Sequence, residues 1–596
     1  MSIRNVINPH PRLLLDDETV GQIKALAASD PVTGMLVEAL IHEADVLVDT
    51  PAVGRQMEGR RLLGVSREVL RRTLVLALAA RLTDDMRYTD ACMRHLRAPA
   101  DFVDWNPDHF LDVAEMTAAL AMGYDWLHGR AQPADLTKVR EAIIRHGLET
   151  SLNVESGWWI KAVNNWNPVC HGGMVMGALA VAESVPDLAT RILQRADENI
   201  DRVAHAYEPD GAYFEGPNYW NYGTTYLTLY LASLQSALGE DFDTTRIPGF
   251  KASAHYIQHC TSPTGGYFNY ADNPTHRQLL ALCYWFAARF DAPGLVAYDE
   301  VRLRRAIESR DKAFFETFFV KSRFASFLLI WRSRLGLVAE KSASAESLVW
   351  IGQGAVPVAL MRTAWNDPQA GYLGVKAGYA GANHGHDDAG TFVYETNGVR
   401  WAVDLGMQGY ESLEAKGVKI WDRSLSSERW RVFRLNEHGH SVLRFEGQTV
   451  DPARSASLIQ VEDDKAIGRV RIDLTALHQP LLVSVEREMA LLPDQSLCFE
   501  DSWTAGDQAV TARWQWMTEA AVSLHKNGFT LTQSGQSLHV EAYDEQGRPV
   551  AFEAIDRSQG MAPYDCENPG LVCLRALLNT PAGATGRLSL KAYTVS

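Results

Sequence analysis

The chain has 596 residues, of which 46% are hydrophobic and 22% are charged, and its formal net charge is −16 at pH 7. Because this length exceeds what one typical core supports, we expect two or more domains. The negative charge argues against a nucleic-acid partner held by bulk charge, although a local positive cluster would still accept an anionic substrate.

The seven cysteines are odd in number and lack CxxC spacing, which indicates reduced thiols rather than a disulfide framework. The N-terminus has no apolar segment followed by a cleavage pattern, and no stretch reaches the roughly 20 apolar residues of a membrane span. We therefore expect no membrane partner and a cytoplasmic protein by default. A mature form whose signal peptide had been removed would look the same, and it would be periplasmic or secreted.

The first half of the chain predicts helices, because apolar residues recur there at helical spacing between short loops that contain Gly, Pro or Asp. Successive helices of this kind are typical of an α-toroid or α-solenoid. The predicted helices are 69–82, 111–127, 136–148, 174–182, 188–204, 224–238 and 278–290.

After about residue 350 the pattern changes to short alternating or β-branched runs with turn signals between them. Many short strands of this kind predict an antiparallel β-sandwich. We place the domains at 1–340 and 341–596, and we expect a ligand where the two domains meet. The predicted strands are 355–361, 372–376, 391–395, 400–405, 441–445, 458–461, 468–474, 482–489, 497–501, 510–516, 529–532, 538–543 and 588–594.

Three segments of the helical half are unusually rich in Asn, Trp, Tyr and Gly, and we interpret them as loops. They are residues 158–173, 210–223 and 265–273, and the first two lead directly into apolar helices. An Asn side chain offers both donors and an acceptor, and a Tyr phenol can give or take a proton. These loops are therefore candidate parts of a catalytic site.

The stretch from Asn383 to Gly406 contains the clearest candidate for a metal site. His384 and His386 flank one glycine, and Asp404 lies near the end of the return strand of a hairpin that turns at Asn397-Gly398. If the stretch is extended, alternate residues share a face, so both histidines would point the same way. A third imidazole is available in His438-Gly439-His440, and such nitrogen and oxygen ligands suit zinc or a similar divalent ion.

Together these segments resemble the heparinase II/III superfamily of polysaccharide lyases. The resemblance implies an incomplete (α/α) toroid followed by an antiparallel β-sandwich, and cleavage of uronic-acid glycans, either alginate or glycosaminoglycan, by β-elimination. The matching motifs are NNWNPVCHGG at 164–173, DGAYFEGPNYWNYG at 210–223, HGHDDAGTF at 384–392, RWAVDLG at 400–406 and HSVLRFEGQ at 440–448.

The resemblance also implies roles for individual residues. His384 would be the base, and Tyr219 or Tyr222 the acid, with Tyr222 preferred because it directly precedes a glycine. Asn165 and His171 would offset the charge of the substrate carboxylate. The implied metal ligands are His386, Asp404 and His440, with His438 as a competing ligand and Asp388 as an orienting residue; the ion is expected to be zinc, or else manganese or calcium.

The expected partner is an anionic oligosaccharide or polysaccharide, and the predicted substrate-binding residues are Trp166, Glu215 and Arg362. Each has a simpler interpretation. Trp166, like Trp158, Trp159 and Trp220, can belong to the core instead of stacking on a sugar; Glu215 can favour a helix start; Arg362, like Arg277, can form an ordinary ion pair. Asn165 can likewise be a helix N-cap.

Two other functions fit parts of the sequence. A glycoside hydrolase on the same toroid would use paired carboxylates, such as Asp210 with Glu215, or Asp272. A non-catalytic glycan-binding protein would keep the metal as a structural element and turn nothing over. The sequence does not indicate the oligomeric state.

Overall fold

The computed structural model describes residues 7–336 and 347–594, so the predicted domain boundary at 340/341 lies outside the described residues. The chain folds as two compact units. The second unit contains the sheets and also Ala206–Asn218 and His255–Arg277, two segments from the helical half of the sequence. The polar segments around Glu215 and Asp272 therefore belong to the unit that contains the strands.

Within the described residues, all the α-helices except two short ones lie in the N-terminal part of the chain, before residue 336, as predicted. Short stretches of 3-10 or π-helix, including Ile143–Glu149, Val154–Lys161 and Ile200–Ala206, extend some of them. The helices are α1 Asp17–Ser29, α2 Pro31–Asp49, α3 Leu63–Thr83, α4 Met86–Ala100, α5 Phe110–Trp126, α6 Pro133–Ala142, α7 Trp166–Ala180, α8 Pro186–Asp197, α9 Pro217–Leu238, α10 Ser253–Cys260, α11 Ala281–Arg289, α12 Ala297–Glu308, α13 Lys312–Lys321 and α14 Ala325–Leu335.

Helix α5 forms the core of the first unit, because every one of its residues is buried and it packs between α3 and α7. Most of its residues are apolar, as expected at such a position, and its buried Glu115 forms ion pairs with Arg67 and Arg323. The approach of α7 to α5 depends on Gly173, where an added Cβ would collide with the carbonyl oxygen of Ala114. At Gly172 a Cβ would lie 2.7 Å from the carbonyl oxygen of Tyr226 in α9.

The motifs at 164–173 and 210–223 are partly helical, which corrects their interpretation as loops. Residues from Trp166 onward form α7, and residues from Pro217 onward form α9. Their Asn, Gly and Pro content favours loops locally, but close packing against neighbouring helices overrides that preference. His171, Tyr219 and Tyr222 are therefore held on helices.

The second unit contains three antiparallel sheets, with strand orders β1-β2-β3-β4-β5, β12-β13-β14-β17-β10-β9-β8-β7 and β15-β16-β11-β6. Their inward residues share one core that includes Phe392, Trp503, Trp514 and Trp516. Two short helices, α15 Tyr410–Glu414 and α16 Thr475–His478, lie between strands. The strands are β1 Val349–Gly352, β2 Val358–Arg362, β3 Tyr372–Lys376, β4 Phe392–Thr396, β5 Val399–Ala402, β6 Leu443–Phe445, β7 Ser457–Val461, β8 Gly468–Asp473, β9 Leu482–Leu491, β10 Leu497–Ala505, β11 Val510–Thr518, β12 Ala521–His525, β13 Gly528–Gln533, β14 Gln536–Asp544, β15 Glu553–Asp556, β16 Val572–Thr580 and β17 Thr585–Thr594.

The hairpin predicted at Asn397-Gly398 is confirmed: β4 and β5 pair antiparallel, with Thr396 opposite Val399. Both turn residues have positive φ, 53° for Asn397 and 74° for Gly398, which a type I′ turn requires. Within the described residues, no helix combines the length and the apolar character that a membrane span needs.

Candidate active site

A buried group of two histidines and one aspartate in the second unit can hold a metal ion. One potential ligand atom each of His386, Asp404 and His440 lies within 4.8 Å of the others. The Nδ1 atoms of both histidines and Oδ2 of Asp404 are buried and make no hydrogen bond. Two imidazole nitrogens and a carboxylate oxygen, aimed together without other partners, fit a divalent ion.

Hydrogen bonds on the far side of each imidazole fix which nitrogen faces this group. His386 Nε2 lies 2.9 Å from Oδ1 of Asp272, and His440 Nε2 donates to the carbonyl oxygen of Arg434 at 3.1 Å. With Nε2 of each ring engaged elsewhere, Nδ1 of each ring faces the metal-capable group, where His440 Nδ1 lies 3.3 Å from Oδ2 of Asp404; metal-binding histidines are commonly oriented in this way. The group comprises the three predicted ligands, whereas the competing His438 lies beside Glu437.

The position of Asp404 depends on the glycine of the DLG motif. Asp404 follows the end of β5, and its Oδ1 accepts a hydrogen bond from the backbone N–H of Gly406 at 2.8 Å. Gly406 has a positive φ of 59°, and a Cβ there would collide with the carbonyl oxygen of Asn273. A residue without a side chain is therefore needed two positions after the ligand.

His384 lies in a turn, not in the extended strand on which its predicted direction depended. Its φ is +61°, in the left-handed region that non-glycine residues rarely adopt. Both histidines nevertheless meet one carboxylate, because His384 Nδ1 is 3.0 Å from Oδ2 of Asp272 while His386 contacts Oδ1 of the same residue. Arg429 supports the turn by donating to the carbonyl oxygen of Gly385 at 2.6 Å.

Asp272 is held as a buried carboxylate. Burial opposes its ionisation, but the charge of Arg429, 3.8 Å away, and the contacts with His384 and His386 lower the pKa of Asp272 far below its ordinary range. Asp388, which we expected to orient a histidine, instead pairs with Lys376. Asp272, and not Asp388, is therefore the carboxylate that contacts both His384 and His386.

Two aromatic residues next to His384 were missed by the sequence analysis. The hydroxyl of Tyr410 donates to Oδ2 of Asp272 at 2.9 Å and lies 3.0 Å from His384 Nδ1. The ring of Trp421, which is 39% exposed, meets the His384 ring edge-on at 5.8 Å and the Tyr410 ring at 4.8 Å. An exposed aromatic surface beside an imidazole suits the face of a sugar ring.

Glu215 is fully buried, and its carboxylate approaches the other nitrogen of His384. Its Oε1 accepts a hydrogen bond from Asn383 at 2.6 Å and lies 3.6 Å from His384 Nε2. A carboxylate here is suited to accept hydrogen bonds from sugar hydroxyls, and it would repel a substrate carboxylate.

The first unit contains a second cluster around Tyr222, the preferred candidate acid. Glu115 forms ion pairs of 2.9 Å with both Arg67 and Arg323, and each guanidinium lies 5.0 Å from the centre of the Tyr222 ring. Burial and the charge of Glu115 raise the pKa of Tyr222 well above its ordinary value. The phenol is therefore neutral at neutral pH and can act as a proton donor. Tyr219, the other candidate, is half-buried one turn earlier in α9.

Asn165 and His171 lie at the start and in the second turn of α7. Asn165 occupies the N-cap position of α7, as the simpler interpretation expects, but its side chain makes no capping hydrogen bond to the helix; the side chain of Asn164 accepts from the Trp166 N–H instead. His171 Nε2 donates to the carbonyl oxygen of Ile160 at 3.3 Å, and burial lowers the pKa of His171 to about 3. His171 is therefore a neutral imidazole.

Of the four tryptophans that the sequence offers for stacking on a sugar, two are buried in the core and two are at least partly exposed. Trp159 and Trp220 are fully buried, and Trp220 donates to Ser253 at 2.8 Å. Trp158 is 56% exposed and packs against the half-buried Trp166, with ring centres 4.6 Å apart. Trp158 and Trp166 are therefore the two that remain candidates for stacking on a sugar.

Arg362 has a structural environment rather than that of a substrate-binding residue. Its buried guanidinium donates to the carbonyl oxygens of His259 and Thr261 at 3.0 and 2.7 Å and lies 3.7 Å from the centre of the Trp365 ring. These contacts join β2 to the segment 255–277 through backbone carbonyl groups and an aromatic ring, and not through the ion pair of the simpler interpretation.

Residues 359–567 match the family model described as heparinase II/III-like, C-terminal. This region contains His384, the three potential metal ligands and Tyr410. No curated protein sequence matches the chain significantly.

Several solved structures are similar to nearly the whole chain. A heparinase III has a TM-score of 0.59 at 12% identity, covering 88% of this chain and 77% of its own. A mutant of the heparan sulfate lyase HepC from Pedobacter heparinus has a TM-score of 0.57 at 14% identity, covering 88% and 76%. Another heparinase III gives 0.58 at 11% identity, covering 90% and 78%. These findings confirm the predicted fold class and the resemblance on which it was based.

Proposed function

We propose that this heparinase II/III-like chain is a lyase that cleaves uronic-acid-containing glycans by β-elimination and leaves 4,5-unsaturated uronate ends. Support comes from the family model, which covers the histidine motif, and from the shared fold with heparinase III. The substrate class, glycosaminoglycan or alginate, is part of the proposal.

The observation that carries the proposal is the orientation of His384. Asp272 and Tyr410 engage its Nδ1, and in this proposal its Nε2, which lies 3.6 Å from Oε1 of Glu215, accepts the proton. An imidazole oriented through one nitrogen by a buried carboxylate is a common arrangement for a general base. In the proposed reaction, His384 removes the C5 proton of the uronate.

The leaving oxygen at C4 must be protonated as its bond to carbon breaks. We assign this step to Tyr222, because its phenol stays protonated and the two guanidinium groups 5.0 Å from the centre of its ring offset the charge that develops when the proton leaves. The electron pair of the C5–H bond forms the C4–C5 double bond, and the C4–O pair leaves with the sugar oxygen that Tyr222 protonates.

The uronate carboxylate must be stabilised as the C5 proton leaves, because negative charge builds up on its oxygens. Asn165 is proposed to donate to this carboxylate through its side-chain amide, and His171 to assist as a neutral imidazole. Trp158 and Trp166 are proposed to stack on a neighbouring sugar. Glu215 is proposed to accept hydrogen bonds from sugar hydroxyls, because its carboxylate would repel the carboxylate of the substrate.

The proposed metal is zinc, held by His386, Asp404 and His440. Two imidazole ligands favour zinc over calcium, which prefers oxygen ligands. When bound, the ion would supply a fixed charge that joins the turn of His386, the end of β5 and the segment before β6. The proposed role is structural, and none of the proton transfers involves the metal.

The hydrolase alternative is disfavoured by the contacts of its carboxylates. Asp272 is engaged by two histidines and a tyrosine, and Asp210 accepts hydrogen bonds from the backbone N–H groups of Gln353 and Ala212. A hydrolytic acid needs a raised pKa, whereas that of Asp272 is lowered.

A substrate panel tests the proposal. The protein is incubated with fragments of alginate, hyaluronan, chondroitin and heparan, and product formation is followed by the ultraviolet absorbance of the conjugated double bond. We expect absorbance to rise with at least one substrate and the His384→Ala variant to abolish the rise. New reducing ends without absorbance would contradict the proposal.

A further inference from the structure

Asp272 contacts both the candidate base and a candidate metal ligand. Oδ2 of its carboxylate lies 3.0 Å from His384 Nδ1, and Oδ1 lies 2.9 Å from His386 Nε2. The sequence separations are 112 and 114 residues, so the contact is built by the fold of the second unit rather than by local geometry. Asp272 also accepts a hydrogen bond from the hydroxyl of Tyr410 and lies 3.8 Å from the guanidinium of Arg429.

We propose that Asp272 is a positioning residue that sets the tautomer of both imidazoles, so that one carboxylate couples metal binding at His386 to the orientation of the base His384. The His384 half of this inference rests on the proposed function. The His386 half requires only that the His386, Asp404 and His440 group binds a divalent ion.

The donors and acceptors of these three side chains determine where the protons lie. The two oxygens of Asp272 lie 3.0 and 2.9 Å from one ring nitrogen of each histidine, and carboxylate oxygens accept hydrogen bonds, so each of these two nitrogens is the donor. In the neutral imidazoles, the proton on His386 Nε2 leaves Nδ1 as the atom that can bind the metal. The proton on His384 Nδ1 leaves Nε2, which lies 3.6 Å from Glu215, as the atom that can accept a proton. One residue thereby prepares two different nitrogens for two different tasks.

The Asp272→Asn variant breaks this arrangement with almost no change of shape. An amide has one accepting oxygen and one donating nitrogen, so it can satisfy only one of the two imidazoles in the required tautomer. If the amide nitrogen faces His386, the proton of that ring moves to the atom needed by the metal. If it faces His384, the base loses its accepting lone pair.

The first measurement needs no substrate. Metal-free protein is titrated with zinc in competition with a chromophoric chelator, for the wild type and for Asp272→Asn, Tyr410→Phe and Asp544→Asn. We expect Asp272→Asn to weaken zinc binding by about 10–100-fold, the range typical for loss of a residue that orients a metal ligand. Tyr410→Phe keeps the contact with His386 and should bind zinc as the wild type does.

Asp544→Asn is the matched control. Asp544 lies at the end of β14, and its carboxylate accepts hydrogen bonds from the N–H groups of Gln546 and Arg548. The same chemical change at a carboxylate that touches no histidine should leave zinc affinity and activity unchanged.

The second measurement separates kcat from KM at zinc concentrations that saturate each variant. We expect Asp272→Asn to lower kcat by about 10–100-fold with little change in KM, because the base, not substrate binding, is misaligned. If kcat returns to the wild-type value once zinc saturates, Asp272 positions the metal ligand alone, and the coupling is overturned. Unchanged zinc affinity in both the Asp272→Asn and the Asp272→Glu variants, each folded, overturns the inference at His386.

A fallback variant covers the case in which Asp272→Asn fails to fold. Asp272→Glu keeps the charge but displaces both oxygens, so it should also weaken zinc binding, and wild-type affinity in that variant would overturn the inference. If the wild type has no lyase activity on any substrate, the proposed function fails, while the zinc titration still decides the His386 half.

Discussion

His384 has an unusual backbone that its neighbours hold in place. A positive φ in a non-glycine residue is strained and persists only when the surroundings fix it. Here Arg429 binds the carbonyl oxygen of Gly385, and a side chain at Gly385 would meet the carbonyl oxygen of Ala380 at 2.5 Å. The HGH motif therefore fixes a turn, and its glycine is part of the geometry.

Replacing His384 by alanine should remove the base without removing the metal. We expect kcat to fall by about 10²–10⁴-fold, the usual contribution of a general base, while zinc content stays unchanged. His438→Ala is the matched control, because His438 lies beside Glu437 and outside the metal-capable group. Loss of zinc in His384→Ala, or full activity, would contradict the assignment; steady-state kinetics and metal analysis measure both.

Removing one phenol oxygen distinguishes the two candidate acids. Tyr222→Phe should lower kcat by about 10²–10⁴-fold because the leaving oxygen loses its proton donor, whereas Tyr219→Phe should have a small effect. Tyr226→Phe serves as the control, since this buried ring packs edge-on against Tyr222 at 5.8 Å. The reverse order, with Tyr219→Phe inactive and Tyr222→Phe active, would transfer the role to Tyr219.

The contact between α5 and α7 makes a prediction about stability. Gly173→Ala places a methyl group against the backbone of Ala114, so we expect a loss of about 1–3 kcal/mol in the free energy of unfolding. Gly21→Ala in α1 adds the same methyl group where nothing lies within 4 Å and should stabilise by about 0.5–1 kcal/mol. Denaturant unfolding measures whether each variant raises or lowers the free energy of unfolding. Equal effects in the two variants would contradict the packing contact at Gly173.

The elements with strong local signals could be predicted from sequence. Helices α3 and α5 follow the apolar period, and the β4–β5 hairpin follows Asn397-Gly398. The starts of α7 and α9 could not be predicted from sequence, because the composition there favours loops and only packing in the folded chain makes these residues helical.

The candidate site likewise contains residues that could be predicted from the sequence and residues that could not. The potential ligands His386, Asp404 and His440 stand in recognisable motifs and meet as predicted. The orienting role of Asp272 and the presence of Tyr410 depend on contacts between residues far apart in sequence. Neither belongs to a motif with the histidines, so no local spacing reveals them. The turn at His384 was missed because it too depends on such contacts.

Removing the metal should lower the stability of the folded chain more directly than it lowers the rate of the reaction. A ligand that binds only the folded state stabilises it by about 2.7 kcal/mol when present at 100 times its Kd. We therefore expect a strong chelator to lower the thermal unfolding midpoint and zinc, rather than calcium, to restore it. Calorimetry checks this, and a midpoint indifferent to chelation would contradict a structural metal.

The central claim is that the chain breaks a C4–O bond by elimination and not by adding water. The most direct measurement is the mass of the products formed in water labelled with heavy oxygen. Elimination predicts a new non-reducing end that is one water lighter than a saturated sugar, with no labelled oxygen incorporated by cleavage. Saturated products that carry the label at the cleaved linkage would contradict the account.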